Sequence, residues 1–375
     1  VKQYLDAVNH VLSNGTRKEN RTGVDTLSTF GYYYEVDLSE GFPLLTTKKV
    51  NWVHIVVEML WFLSGQTDIA ILKRHGCKFW DAWADPVTGK VPSAYGNFWR
   101  NFPVHTYNQT MFENTPGGFQ LPQGVWATFN DQIAWVLAEM RKNPMSRRMV
   151  VSAWAPQNAQ TSKLPPCHCL YVFNVQNEDP TPRYVHYGHN RGEDPVCGNY
   201  KDGRRVLPHG EGMKYREAWC PDCQVILNGA RGGDVFKNPP VGDDPRRLCL
   251  HLTQRSLDVM LGAPYNLASY ALLIELFSRF TGIKPGIFGH SVVDMHIYCA
   301  KPDGSMAEYD HTPGAREQLT REPRPLPRLI IDDSIKDLSD IERLMDPSVT
   351  TEEIMGLFRL EGYNPHPAIN FKVAV

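Results

Sequence analysis

The sequence predicts a mixed α/β protein. Amphipathic and wholly apolar helical stretches alternate with β-type runs along the chain, a pattern that packs helices against a sheet. The 375 residues are 42% hydrophobic and 21% charged, so an ordinary globular core can form. Length alone suggests two domains, although one large α/β domain is also allowed. A polar segment at 178–247 breaks the pattern and reads as an insertion, rich in Gly, Pro, Asp, Arg and Asn.

The elements follow in order. Residues 2–13 carry Tyr4, Leu5, Val8, Val11 and Leu12 at helical spacing. A polar turn and Arg21-Thr22-Gly23 lead into a strand over 26–38. The loop 41–49 feeds a helix over 52–63, WVHIVVEMLWFL, apolar nearly all round and therefore buried. An aromatic stretch, Phe79 to Trp83, and a polar loop at 101–125 come next. A helix is expected over 131–142, then a strand over 149–154 preceded by Arg147-Arg148. After the insertion, a strand runs over 248–259. The turn 261–266 then opens a helix over 267–280, with Asn266 placed as an N-cap. The strand 287–298 puts Asp294, His296 and Tyr298 on one face, as if lining a pocket. Residues 301–325 read as loop, 326–332 as a strand and 351–357 as a short helix.

Two positions suggest chemistry. Pro165-Pro166 hold the chain extended before Cys167, which opens the apolar run 170–175. A rigid approach of this kind suits a nucleophile, although most free cysteines are simply small core residues. Glu58 sits inside the apolar helix, where a carboxylate needs a partner or a raised pKa. It reads equally as a buried ion pair or as a general acid/base.

The net charge of −2 gives no general attraction to nucleic acid. No run is long enough to span a membrane and no hydrophobic leader is present, so a cytoplasmic protein is expected. Eight cysteines scattered over a large chain suit a reducing compartment. Within the insertion, Cys220-x-x-Cys223 with Cys197 upstream is a zinc-type spacing, with His189 or His209 as a fourth ligand; loose loop cysteines are the competing reading.

Taken together, these pieces resemble the thymidylate synthase family. The matching stretches are Arg21-Thr22-Gly23, Phe42 to Lys48, Glu58 with Trp61-Phe62-Leu63, Trp80-Asp81, and Ser146-Arg147-Arg148. Pro166-Cys167-His168, Gln254-Arg255-Ser256-x-Asp258 and Leu261-Gly262-x-Pro264-x-Asn266 continue the series. His296-x-Tyr298 and Glu361-Gly362-Tyr363 through Pro365-His366-Pro367 complete it. They span residues 2–375 apart from the insertion.

The resemblance implies a single catalytic domain with a bent mixed sheet, forming a homodimer through that sheet. Arg147 and Arg148 would reach the partner's site. The implied reaction transfers one carbon from 5,10-methylenetetrahydrofolate to C5 of dUMP, through a Cys167–C6 adduct. That role requires a Cys167 pKa lowered by nearby cations. Glu58, Tyr95, His168 and Asn266 would share in catalysis. Arg21, Arg147, Arg148, Arg255 and Ser256 would hold the phosphate, and Gln254, Asp258, His296 and Tyr298 the rest of the nucleotide. Asn266 would read the uracil edge, donating to O4 and accepting from N3–H. Lys48, Trp80, Trp83, Asp258, Gly262 and the C-terminal Val375 would contact folate.

The chain departs from the family pattern at Pro92-Ser93-Ala94 before Tyr95, at Val293 and at Ala155. The family includes phage hydroxymethylases, in which water captures the methylene intermediate that hydride otherwise reduces. Two products are therefore expected in turn: dTMP, which is favoured, or 5-hydroxymethyl-dUMP; a viral source would place the enzyme in a host cytoplasm. A third reading makes the insertion a zinc-dependent binding module on a synthase-like body.

Overall fold

The computed structural model describes residues 1–103, 129–156, 162–177 and 246–374, with strand pieces at 198–201, 204–206, 218–220 and 225–227. The chain forms two compact units, Val1–Gln176 with Arg247–Val375, and Asn177–Arg246. In the second, antiparallel pairs join 198–201 to 204–206 and 218–220 to 225–227. Cys197 and Cys223 lie outside the described residues, and of Cys220 only the backbone is described. Most of the expected loop at 101–125 also lies outside them.

The first unit is built on a six-stranded mixed sheet. Its strands are β1 (Thr16–Lys18), β2 (Asp25–Asp37), β3 (Val150–Ser152), β4 (His168–Asn177), β5 (Arg246–Asp258) and β6 (Lys284–Cys299). The order across the sheet is β1-β2-β6-β5-β4-β3. β5 and β6 are parallel, whereas β2 runs antiparallel to β6. A parallel neighbour requires a long crossover, which is the helix α6 (Gly262–Thr281). The β5–β6 register shifts between Leu248 and Leu250, and Gly31 sits in β2 at φ 73°. Both features bend a sheet locally.

The remaining α-helices among the described residues are α1 (Lys2–Asn14), α2 (Trp52–Ser64), α3 (Ala70–Arg74), α4 (Tyr95–Arg100), α5 (Gln132–Lys142), α7 (Thr312–Leu319), α8 (Leu338–Leu344) and α9 (Thr351–Leu357). Asn51 caps α2 by accepting from the His54 N–H, and Asp131 caps α5 by accepting from the Ala134 N–H at 2.9 Å. Ile55, Val56, Val57, Met59 and Leu60 through Leu63 are all buried, as the apolar sequence of α2 requires. β7 (Arg328–Ile331) pairs with β8 (Phe358–Glu361) near the end of the chain. No helix among the described residues is long and apolar enough to cross a membrane.

Three expectations change. α6 begins at Gly262, not 267, so Asn266 lies inside the helix and caps nothing. Pro264 is tolerated because first-turn N–H groups have no helical partner. Asp258 makes the turn instead, its Oδ1 accepting from the N–H groups of Met260 (2.8 Å) and Leu261 (3.0 Å). Asn266 is thereby freed to face the interior. The stretch 301–325 contains α7, with Pro313 in its first turn, and α8 was not expected at all, although Asp337 and Asp340 form its capping box.

Candidate active site

Cys167 is held from both sides. Its N–H donates to the Tyr95 hydroxyl at 3.1 Å, as does that of His168 at 3.4 Å. Its carbonyl accepts from the Arg255 N–H at 2.9 Å. The Arg255 guanidinium donates from Nε to the Pro166 carbonyl (3.0 Å) and from Nη2 to that of Pro165 (2.7 Å). Arg255 therefore clamps the Cys167 segment and keeps donors spare for an anion. Tyr95 reaches Cys167 because α4 lies directly on α2. A Cβ at Gly96 would stand 2.4 Å from the Phe62 carbonyl oxygen, so only glycine permits this approach.

Around the thiol lies a cavity of about 250 Å³. Of the sequence-selected residues, Glu58, Trp80, Trp83, Tyr95, Cys167, His168, Gln254, Ser256, Asp258, Gly262 and Asn266 line it. They come from α2, the 79–83 segment, α4, the start of β4, β5 and α6, so the fold gathers them from distant parts of the chain. Phe62, Trp99, Tyr270 and Leu164 are also part of the wall. Tyr270 was not singled out in the sequence, yet it stands one helical turn beyond Asn266, on the same face. Its hydroxyl lies 3.1 Å from His168 Nδ1.

The electrostatics differ by group. Burial lifts the Glu58 carboxyl to about 7, against the Trp80 N–H, which donates to it at 2.7 Å. This is the raised pKa that its place in an apolar helix foretold. Burial pulls His168 down to about 4, so its imidazole is neutral, stacked on the Tyr95 ring at 4.5 Å. Cys167 departs from expectation. Arg255 and Arg21 lower its pKa, but burial outweighs them and the thiol sits above its ordinary value.

Other selected residues stand outside the cavity wall. Arg21 packs over the Trp83 ring at 5.5 Å. His296 and Tyr298 share a face of β6, with Asp294 3.6 Å from His296 Nδ1 and itself held by Ser28 and Lys18. Lys48 lines a neighbouring cleft with Met260, Tyr363 and the tail residues Ala368 to Phe371. Its ammonium donates to the Met260 carbonyl and burial lowers its pKa to about 8. Arg147 and Arg148 are exposed, and neither side chain pairs with a described residue. Val375 lies outside the described residues. Of the departures from the family pattern, Val293 is 45% exposed and Ala155 is buried, and neither lines the cavity. The described residues contain no group of three His, Cys, Asp or Glu side chains able to hold a metal.

A buried thiol, a carboxyl poised near neutrality, an amide and an aromatic wall suit covalent chemistry on a flat polar ring. A family model described as thymidylate synthase matches residues 2–198 and 223–375. The chain belongs to the thymidylate synthase family. Membership carries one-carbon transfer to dUMP, with methylenetetrahydrofolate as co-substrate.

Proposed function

We propose that this family member makes dTMP and dihydrofolate, completing one-carbon transfer with hydride. The observation that carries this reading is the apolar wall beside Cys167: Phe62, Trp80, Trp83, Tyr95 and Leu164. A methylene intermediate on C5 survives until hydride arrives only where water is kept out. Trp80 is buried, with its N–H committed to Glu58. Two of the three departures from the family pattern, Val293 and Ala155, do not line this wall.

In this reading the Cys167 sulfur bonds to C6 of the ring, and the C5=C6 electrons move onto O4. C5 then attacks the one-carbon unit. Asn266 holds the N3–O4 edge, Glu58 exchanges protons at O4 through water, and Tyr95 assists loss of the C5 proton. His168, being neutral, positions Tyr95 and Asn266 and does not act as a charged acid. Arg21, Arg255 and Ser256 bind the phosphate, and His296 and Tyr298 the sugar hydroxyl.

Incubation with dUMP and methylenetetrahydrofolate, followed by chromatography, decides the product. dTMP with dihydrofolate is expected. Recovery of 5-hydroxymethyl-dUMP with tetrahydrofolate would replace this reading with the hydroxymethylase.

The same proposal makes the enzyme a homodimer in which Arg147 and Arg148 complete the partner's phosphate site. Both guanidinium groups are unpaired among the described residues, and Phe30, Tyr33 and Val293 stand exposed on adjacent strands β2 and β6. An inactive Cys167→Ala chain mixed with an inactive Arg147→Ala/Arg148→Ala chain should regain about a quarter of normal activity through hybrid dimers. No recovery after subunit exchange would place both arginines in their own chain's site.

A further inference from the structure

A carboxamide is a poor discriminator on its own. Turned one way, Asn266 donates to O4 and accepts from N3–H of uracil. Turned by half a revolution, it accepts from the amino group and donates to N3 of cytosine. The two ends have nearly the same shape, so selectivity requires something to hold the amide one way round.

Besides its bond to the His168 side chain, Asn266 joins a buried chain of hydrogen bonds with a single consistent direction. Gln254 Nε2 lies 2.8 Å from the Ser256 carbonyl and 3.3 Å from Asn266 Oδ1. Gln254 Oε1 lies 3.0 Å from His290 Nε2, and His290 Nδ1 lies 2.8 Å from the Tyr34 hydroxyl. The Ser256 carbonyl can only accept, so the NH₂ end of Gln254 must face it. That leaves Oε1 facing His290, which must then present an N–H at Nε2. His290 is fully buried and its pKa is held down to about 3, so it is neutral and carries one N–H. Nδ1 is therefore bare and accepts from the Tyr34 O–H.

We propose that Tyr34 and His290 are positioning residues for base recognition, acting through Gln254 to hold Asn266 in the sense that reads uracil. The proposal rests on dUMP being the substrate. Neither residue lines the cavity. Tyr34 donates to Nδ1 and so supports the Nε2–H tautomer of His290, His290 satisfies Gln254 Oε1, and Gln254 is then locked between His290 and Ser256. An inverted Asn266 would point its NH₂ at the Gln254 N–H, donor against donor. Without His290, Gln254 Oε1 is an unsatisfied buried acceptor, and the lock opens.

The test is equilibrium binding of dUMP and of dCMP to the full chain. Wild type should prefer dUMP strongly. Tyr34→Phe removes one hydroxyl with little change of shape, and should lower the dUMP-over-dCMP preference about tenfold. His290→Leu should lower it further. His290→Gln should retain it, because its amide N–H can reach the place of Nε2–H. The proposal is overturned if Tyr34→Phe weakens both nucleotides equally or neither, or if His290→Gln loses selectivity as His290→Leu does. Failure of the wild type to bind dUMP would overturn the substrate assignment itself, a result separable from any change in ratio among the variants.

Discussion

Replacing Cys167 with alanine should abolish turnover of dUMP, by about 10⁴-fold or more, while changing dUMP affinity by less than about tenfold. The separation follows from where the energy is used. In the proposed reading the phosphate, sugar and base edge would be held by Arg21, Arg255, Ser256, His296, Tyr298 and Asn266, none of which depends on the sulfur. In that reading the sulfur matters only when it bonds to C6 and converts C5 into a nucleophile. The thiol begins the reaction above its ordinary pKa, because burial outweighs the charges of Arg255 and Arg21. The two guanidinium groups therefore serve to limit a burial penalty, and a dUMP adduct should be detectable by mass spectrometry only where Cys167 is present. Turnover by the alanine variant within an order of magnitude of wild type would remove Cys167 from the chemistry.

Glu58→Gln should lower kcat by about 10²- to 10⁴-fold at neutral pH, since glutamine keeps the contact with Trp80 but cannot exchange a proton. The same variant should be more stable than the wild type in alkali. The Glu58 carboxyl has its pKa raised from 4.5 to about 7 by burial, so the folded state binds its proton more tightly than the unfolded chain does. Its stability contribution is complete below about pH 4.5 and is lost as pH rises through about 7. Above that range the wild type carries a buried charge, at a cost of about 3 kcal/mol relative to glutamine. Denaturant unfolding at pH 5 and pH 8.5 should therefore show the variant's advantage only at the higher pH. An advantage independent of pH would mean that Glu58 is not the titrating group.

Much of the frame was legible before any coordinate. α1, α2 and α5 begin and end within a residue or so of the periodic stretches, because each buries one apolar face or is apolar all round. β2 and β6 match their expected runs to within a few residues. Failures fell where local signals compete. Asn266 after Pro264 looks like a cap, but Asp258 already supplies the turn, and the helix starts a full turn earlier. α7 and α8 are short, and their amphipathic faces are too brief to stand out from polar surroundings.

The division between chain and fold is clearest at the site. By itself the sequence determined the reactive vocabulary: a cysteine behind two prolines, a carboxylate in an apolar helix, arginines, and an amide on a helix. Residue type and short-range spacing are local properties, and local patterns record them. Only the tertiary structure decided how those groups are tuned and aimed. The sign of the Cys167 shift depends on how much burial opposes two arginines distant in sequence. The sense of Asn266 depends on Gln254, His290 and Tyr34, which β5, β6 and β2 bring together from up to 256 residues apart. Desolvation and hydrogen-bond direction are properties of the assembled interior, and no window of sequence contains them.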